Sequence, residues 1–370
     1  MTDVWINGTA MVQTGRHYNL NMDEMAARVL DEALKDAGYP ELDALFVASA
    51  TAEQADRQQM LGTYIAARLG LDKVATYRVE NADGSGGSAL MAAAMAVRSG
   101  VYGCVAVVGV DKPNDVLSNQ QQDIYSTATD SVYERYFGVT PAAQAALMAK
   151  MYLSKYEYKY EDLALWPVLM HKYGASNPYA YIRKQAKLED VLDSELVSDP
   201  LRLYDVGPMA DGAAAAILCG RKGVAKVLGM WSSANAVPFN ARQDYDVLYS
   251  AREAAERAYR MAGITPRDVA TAEVHDSYSI LGVLAAEALG LAPRGGLLAS
   301  LRGGSEVRAN LSGGLKSRGN VMGATGVYQA VEVVWQLVGR GPFKRVDGSI
   351  GVIHSMGGVD ATSTVVVLGL

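Results

Sequence analysis

Residues 310–326 read NLSGGLKSRGNVMGATG, five glycines in seventeen residues, and run directly into the apolar stretch VYQAVEVVWQL at 327–337. Glycines at that density serve a backbone that turns sharply or approaches another segment closely. The apolar stretch reads as a buried helix from Val327 to Leu337. A glycine loop feeding such a helix offers unpaired N–H groups and the positive end of the dipole to whatever lies in front. A second cluster, NADGSGG at 81–87, precedes the small-residue helical run SALMAAAMAVRSG.

Working outward, the elements around both clusters repeat. Residues 22–37, MDEMAARVLDEALKDA, have helical apolar spacing closed by Gly38, and DALFVASA from Asp43 reads as a buried strand. In the last third, a helix over 248–262 is closed by Gly263 and a strand starts at Asp268. Gly38 and Gly263 lie 225 residues apart, as do Asp43 and Asp268. Each half continues to a glycine loop, an apolar helix and an apolar strand, CVAVVGV and SIGVIHS. The pattern predicts a duplicated α/β domain whose halves pack across a pseudo-twofold axis. Between the copies, Asn114–Ser198 differs in kind: a polar stretch, SNQQQDIYSTATD, is followed by a Tyr-rich helical run. Tyr152, Tyr156, Tyr158 and Tyr160 read as packing residues, and the insertion as a cap over a site.

Composition bounds the function. The chain has 370 residues, half of them hydrophobic, and a net charge of −6. No basic run suits nucleic acid, and no apolar run approaches the ~20 residues that span a bilayer. Cys104 and Cys219 sit in apolar strands and read as reduced core residues. Four histidines without paired Cys/His spacing give no metal site. The expectation is a soluble cytoplasmic protein with neither nucleic-acid nor membrane partners.

The motifs also resemble a family. NLSGGLKSRGNVMGATG is similar to the thiolase-superfamily signature N-x-S-G-G-L-x-x-x-G-H-P-x-G-A-T-G, and RVENADGSGG resembles its nucleophile turn V-E-N-A-C-A-S-G. EVHDSYS (273–279), HKYGASNP (171–178) and LYDVGPMADGAAAAIL (203–218) resemble segments of archaeal and sterol-carrier-protein-type thiolases. The resemblance implies a five-layered αβαβα sandwich of two duplicated halves with an inserted loop domain. The N-terminal half is placed at 1–113 with its last strand at 199–221, the insertion at 114–198, and the C-terminal half at 222–370. It further implies an acyl-CoA substrate, with coenzyme A as part of it and no covalently bound cofactor. A homodimer or dimer of dimers is implied, as are an OB-fold acyl-CoA-binding partner and a hydroxymethylglutaryl-CoA synthase-like partner.

Residue by residue, the resemblance breaks at the chemistry. The family's nucleophilic cysteine is Asp83 here, and its G-H-P histidine is Asn320. An anhydride at Asp83 would be more reactive than the thioester it came from, so acyl transfer through this position is disfavoured. Asn320 cannot shuttle protons but can donate to an oxyanion. The expected catalytic set is Asp83, His275, Asn320 and His354, the last read as ending the final strand and pointing at the same pocket. The expected binding set is Gly84, Ser85, Ser312, Gly313, Gly314, Lys316, Gly357 and Gly358. Lys316 and Arg318 read as exposed cations within reach of CoA phosphates. Three functions compete: aldol or retro-aldol chemistry on a β-hydroxyacyl-CoA with Asp83 as base, a silent acyl-CoA-binding or scaffold subunit, and acyl transfer from Ser85. Asp83 has a purely structural reading too, as helix N-cap, where the dipole would depress its pKa.

Overall fold

The computed structural model describes residues 2–370. Nine strands form one mixed sheet: β1 Trp5–Met11, β2 Ala44–Ala48, β3 Ala75–Val79, β4 Cys104–Asp111, β5 Gly212–Cys219, β6 Ala225–Ala234, β7 Val269–Val274, β8 Ile350–Gly357 and β9 Thr362–Gly369. Their spatial order, β3-β2-β4-β5-β1-β6-β9-β8-β7, is palindromic about the β1–β6 seam. There β2-β4-β5-β1 answers β7-β8-β9-β6, which is the duplication read from the 225-residue offset. The seam itself is thin, pairing only Trp5 with Lys226 and Ile6 with Ala225.

Helices cover both faces. The main ones are α1 Met22–Asp36, α2 Leu61–Arg68, α3 Ser85–Arg98, α4 Ser118–Ser126, α5 Pro141–Lys155, α6 Leu165–Gly174, α7 Tyr249–Ala262, α8 Ser279–Ala288 and α9 Thr325–Val338. Strand residues alternate between cores. Ala106 and Val108 of β4 face α1 and α2, whereas Val105 and Val107 face the layer holding α3 and α9. In the other half, Ile353, Val366 and Leu368 face that same central layer, and Val352, Val365 and Val367 face α7 and α8. Burial on both faces explains why the strands read as continuous apolar runs rather than alternating ones. The result is the five-layered sandwich. Every residue of α9 from Thr325 to Leu337 is buried.

Both glycine clusters belong to the central layer. The helices start inside the clusters, at Ser85 and Thr325, rather than after them. They cross at Gly86, Gly87 and Gly326. A Cβ at Gly86 would stand 2.7 Å from the Gly326 nitrogen and 2.8 Å from its Cα. The helix-end glycines at the 225-residue offset have positive φ, 75° at Gly38 and 68° at Gly263.

One expectation is corrected. Cys104 and Cys219 stand directly opposite in the β4–β5 ladder and are joined by a disulfide, so the thiols are not free. Antiparallel register, invisible in two cysteines 115 residues apart, brings them together. The polar stretch after Asn114, given no conformation by its sequence, is helical over Ser118–Ser126. The insertion's tyrosines tether it to the body, Tyr152 donating to Glu287 at 2.7 Å, Tyr156 to Asp246 at 2.8 Å and Tyr160 to Asp205 at 2.6 Å. Among the described residues, no helix is long and apolar enough to cross a membrane.

If the crossing needs hydrogen at position 86, Gly86→Ala forces two buried backbones apart. Its expected cost is about 1–3 kcal/mol by overpacking, read as a lowered urea midpoint with unchanged slope. An unshifted midpoint would contradict the close approach.

Candidate functional site

The N-terminal turns of α3 and α9 bring Asp83 and Asn320 together from residues 237 apart, Asn320 Nδ2 lying 3.5 Å from Asp83 Oδ2. The amide of Asn320 is oriented by its other end: its Oδ1 accepts from the Met322 N–H at 3.0 Å and from Thr325 Oγ1 at 3.3 Å, leaving the NH₂ to face Asp83. The next N–H of the loop, from Gly323, goes to Asp111 Oδ2 at 2.8 Å. Asp111 also takes Ser49 Oγ, Thr51 Oγ1 and the Ala50 and Thr51 N–H groups, tying the end of β4 to the loop after β2. The helix entrance therefore does not offer these free N–H groups to a ligand, as its sequence suggests. Its donor capacity is relayed through the side chain of Asn320.

Asp83 is 3% exposed, and its Oδ1 has no hydrogen-bond partner. It does not cap α3, whose N-cap is Gly84 without a side-chain bond. Desolvation pushes its carboxyl up to about 7, with the Tyr125 hydroxyl and the Asn320 amide pulling partly back. The capping reading and its depressed pKa are thereby corrected: burial outweighs the dipole.

His275 Nε2 stands 3.6 Å from Asp83 Oδ2, and neither ring nitrogen has a bonded partner. Burial, with His354, Arg318 and Lys316 nearby, drives its pKa well below the usual range, so the imidazole is neutral. His354 lies within β8 rather than at the end of the last strand. Its Nδ1 accepts the His275 backbone N–H at 3.4 Å, and its Nε2 meets Ser363 Oγ at 3.2 Å. It supports His275 from behind, and burial lowers its pKa to about 3.

Two cavities open beside Asp83. One, of about 530 Å³, is lined by Asp83 with Tyr125, Met322, Gln54, Arg78 and Glu80 among others. The other, of about 580 Å³, is lined by Asn320 with Tyr125, Ser277, Tyr278, Tyr204 and Lys316 among others. Tyr125, on the last turn of α4, lines both and faces Asp83, Ser277 and Tyr278. Sequence reasoning missed it. The only signal was an Ile-Tyr pair closing an otherwise polar stretch.

The remaining expected binding residues hold the frame. Ser85 Oγ donates to the Ala82 carbonyl at 2.5 Å and accepts from the Asn81 N–H at 2.8 Å, so its hydroxyl is engaged on both sides. Ser312 donates its N–H and hydroxyl to Glu273, while Gly314 packs against Asp276, which also accepts from the Leu315 N–H at 2.7 Å and Trp166 Nε1 at 3.0 Å. Gly313 packs on Gly174, Gly357 on the Asn81 carbonyl beneath Gly84, and Gly358 on the Ala128 carbonyl. Lys316 and Arg318 are not exposed loop cations. Lys316 donates to the carbonyls of Asp205 and Ser277, and burial lowers its pKa to about 8. Arg318 forms a fully buried pair with Glu332 at 3.0 Å. Buried cations persist only with such partners, so loop position alone misled. Among the described residues, no cluster of His, Cys, Asp or Glu is arranged to hold a metal.

The raised pKa has a measurable consequence. The folded chain keeps a proton on Asp83 that the unfolded chain releases between about pH 4 and pH 7, so this residue costs stability as pH rises through that window. Asp83→Asn removes the cost. Its urea stability relative to wild type should be larger at about pH 8 than at about pH 4.5 by about 1–4 kcal/mol, at about 1.4 kcal/mol per pKa unit. An equal difference at both pH values would contradict the shift.

Residues 4–222 match the thiolase N-terminal domain, and residues 233–370 match the thiolase C-terminal domain-like family. The chain is 36% identical to an acetyl-CoA acetyltransferase of Methanothermobacter thermautotrophicus over 99% of both chains. It is 31% identical to that of Methanocaldococcus jannaschii over 100% of this chain and 99% of the relative. Human sterol carrier protein 2 is 29% identical, with 96% of this chain covering 69% of the longer protein. Among solved structures, the Ltp2-ChsH2(DUF35) aldolase superposes with a TM-score of 0.84 at 21% identity, covering 100% of this chain and 98% of that one. An acetyl-CoA acetyltransferase from Syntrophomonas wolfei gives 0.77 at 15% identity, over 100% and 99%.

Proposed function

The chain belongs to the thiolase family, and on that premise we propose that it makes or breaks the carbon–carbon bond of a β-hydroxyacyl-CoA by an aldol-type step, without an acyl-enzyme. One observation carries the reading: a buried carboxylate with a free oxygen, its pKa about 7, lies 3.5 Å from an oriented amide donor. A base with a pKa near the working pH and a donor aimed at developing negative charge are what this reaction requires.

In the cleavage direction, ionised Asp83 takes the proton of the β-hydroxyl. The Cα–Cβ bond breaks as the β-oxygen becomes a carbonyl, and its electron pair passes to the thioester, giving an enolate. The Asn320 N–H donates to the enolate oxygen. The carbonyl fragment leaves, and the enolate α-carbon recovers the proton held on Asp83, giving the shorter acyl-CoA and the free carboxylate. Aldol addition is the same path reversed. Neutral His275 backs Asp83 without adding a positive charge that would lower its basicity. The Asn320 cavity, lined by Tyr204, Val206 and Met209, suits the pantetheine arm of the thioester.

The relatives' name, acetyl-CoA acetyltransferase, describes acetyl transfer. The same chemistry here would need a nucleophile, whereas Asp83 yields an anhydride and the Ser85 hydroxyl is engaged on both sides. A solved protein of this fold, the Ltp2-ChsH2(DUF35) aldolase, bears the name of that chemistry, so the scaffold is compatible with the alternative. A homodimer, alone or with a smaller acyl-CoA-binding subunit, belongs to the same proposal.

The test is a panel of β-hydroxyacyl-CoA esters, following carbonyl release and the shorter acyl-CoA. Asp83→Asn should abolish release, and Asn320→Ala should lower kcat about 10²–10³-fold with little change in KM, the range for removing one oxyanion donor. An acyl adduct on the protein by mass spectrometry would overturn the reading. Binding without turnover across the panel would point instead to a silent acyl-CoA-binding subunit.

A further inference from the structure

We propose that Tyr125 is a further catalytic residue, whose hydroxyl carries the proton between Asp83 and the α-carbon of the thioester. The inference rests on the enolate of the aldol reading and deepens it by giving the proton a route. Asp83 lines one cavity and Asn320 the other, and among the described residues Tyr125 is the one side chain that lines both. The thioester oxygen belongs beside Asn320, so the α-carbon next to that carbonyl stands on the Asn320 side of the boundary. The proton taken from the β-hydroxyl is held on the other side, at Asp83. Tyr125 is the group that touches both.

The surroundings suit a relay. Tyr125 is 7% exposed, and its hydroxyl faces Asp83 on one side and, on the other, Ser277 and Tyr278, which line the Asn320 cavity. A phenol has one hydrogen to donate and lone pairs to accept with, so it takes a proton from one side as it gives one to the other. Burial, with the Asp83 charge beside it, raises its pKa well above that of a free phenol, so the hydroxyl stays protonated between turnovers. Transfer is therefore concerted. As the Tyr125 O–H bond breaks and its hydrogen joins the enolate α-carbon, the phenol oxygen takes the hydrogen held on Asp83. The enolate electron pair becomes the new C–H bond, Asp83 is left a carboxylate, and Tyr125 is again a neutral phenol. The ring is held in place for this. Gln121, one turn earlier in α4, donates from Nε2 to the Pro113 carbonyl at 2.7 Å, and the Ala128 carbonyl just past the helix packs against Gly358. Opposite, the Ser277 carbonyl accepts from Lys316 Nζ at 3.0 Å and from the Gly207 N–H at 2.8 Å, which fixes the segment the hydroxyl faces. The insertion thus supplies a reacting group as well as a cover.

The test is exchange of the α-hydrogens of propanoyl-CoA for deuterium in D2O, followed by proton NMR, a half-reaction that needs no carbonyl fragment. Wild type should exchange them and Asp83→Asn should not. Tyr125→Phe should exchange them at least about 10²-fold more slowly at saturating propanoyl-CoA, the low end of the range for losing a proton-transfer group. Exchange at the wild-type rate in Tyr125→Phe overturns the relay, as does a loss that saturating propanoyl-CoA restores, which marks a binding role. Absence of exchange in wild type overturns it too, and carbonyl release from the β-hydroxyacyl-CoA panel then judges the aldol reading separately. Tyr125-dependent exchange without carbonyl release from any ester supports the relay, and in that case it is the aldol reading that fails. A measurement on the wild type serves if Tyr125→Phe does not fold: loss of tritium from α-tritiated propanoyl-CoA in H2O against D2O, on the plateau of each pH profile. The relay moves the exchangeable Tyr125 hydrogen together with the α-hydrogen, so the loss is slower in D2O. Equal rates overturn it.

Discussion

The contact on which the site depends is between backbones. At Gly86, Gly87 and Gly326 two buried helices approach so closely that a methyl group would not fit between them. Because nothing intervenes, the first turns of α3 and α9 meet at the centre of a five-layered molecule, and the residues just before those turns face each other. The distance between Asp83 and Asn320 is thus a consequence of missing side chains elsewhere. The same crossing joins the two halves of the duplicated chain, whose strand ladders touch only through the short β1–β6 seam.

Deep burial then sets the chemistry. A helix N-terminus stabilises a carboxylate by about 0.3–1 kcal/mol, and by about 2 kcal/mol at most. A rise of an aspartate from 3.8 to about 7 corresponds to about 4 kcal/mol in the opposite direction at about 1.4 kcal/mol per unit. Desolvation wins that comparison at Asp83, where the Tyr125 hydroxyl and the Asn320 amide pull only partly back, and it also raises Asp111, although that carboxylate collects five donors from the loops it ties together. Buried carboxylates in one molecule thus divide by how many donors they hold. Asp111, Asp276 and Glu273 brace loops, and Asp83 keeps an oxygen free.

Much of this was legible in the chain, for identifiable reasons. Glycine marks positions where the backbone comes close to something, and both clusters do so. Strands buried on two faces write themselves as unbroken apolar runs, and a 225-residue offset between helix-closing glycines reported the duplication. The misreadings share a cause as well. Lys316 and Arg318 look exposed because sequence carries no depth, yet their charges are met by carbonyls and by Glu332, which lie far away in the chain or beneath the loop. Cys104 and Cys219 looked inert because strand register is not local information. His354 was assigned to the pocket by its place at a strand end, whereas it lies within β8 and accepts the His275 backbone N–H from behind. Tyr125 was overlooked because a short helix in a polar insertion has no apolar periodicity to announce it.

By itself, then, the sequence determined the family, the duplicated α/β architecture and the two positions, Asp83 and Asn320, at which the chemistry departs from the family's cysteine and histidine. These are properties of residue identity and spacing, and they survive without coordinates. Tertiary structure alone decided what those residues are able to do. Whether Asp83 caps its helix or stands buried with an oxygen free, whether a loop lysine meets solvent or a carbonyl, and which cavity each group faces all depend on desolvation and on distances between segments remote in the chain. Those quantities come into existence only when the two helices cross.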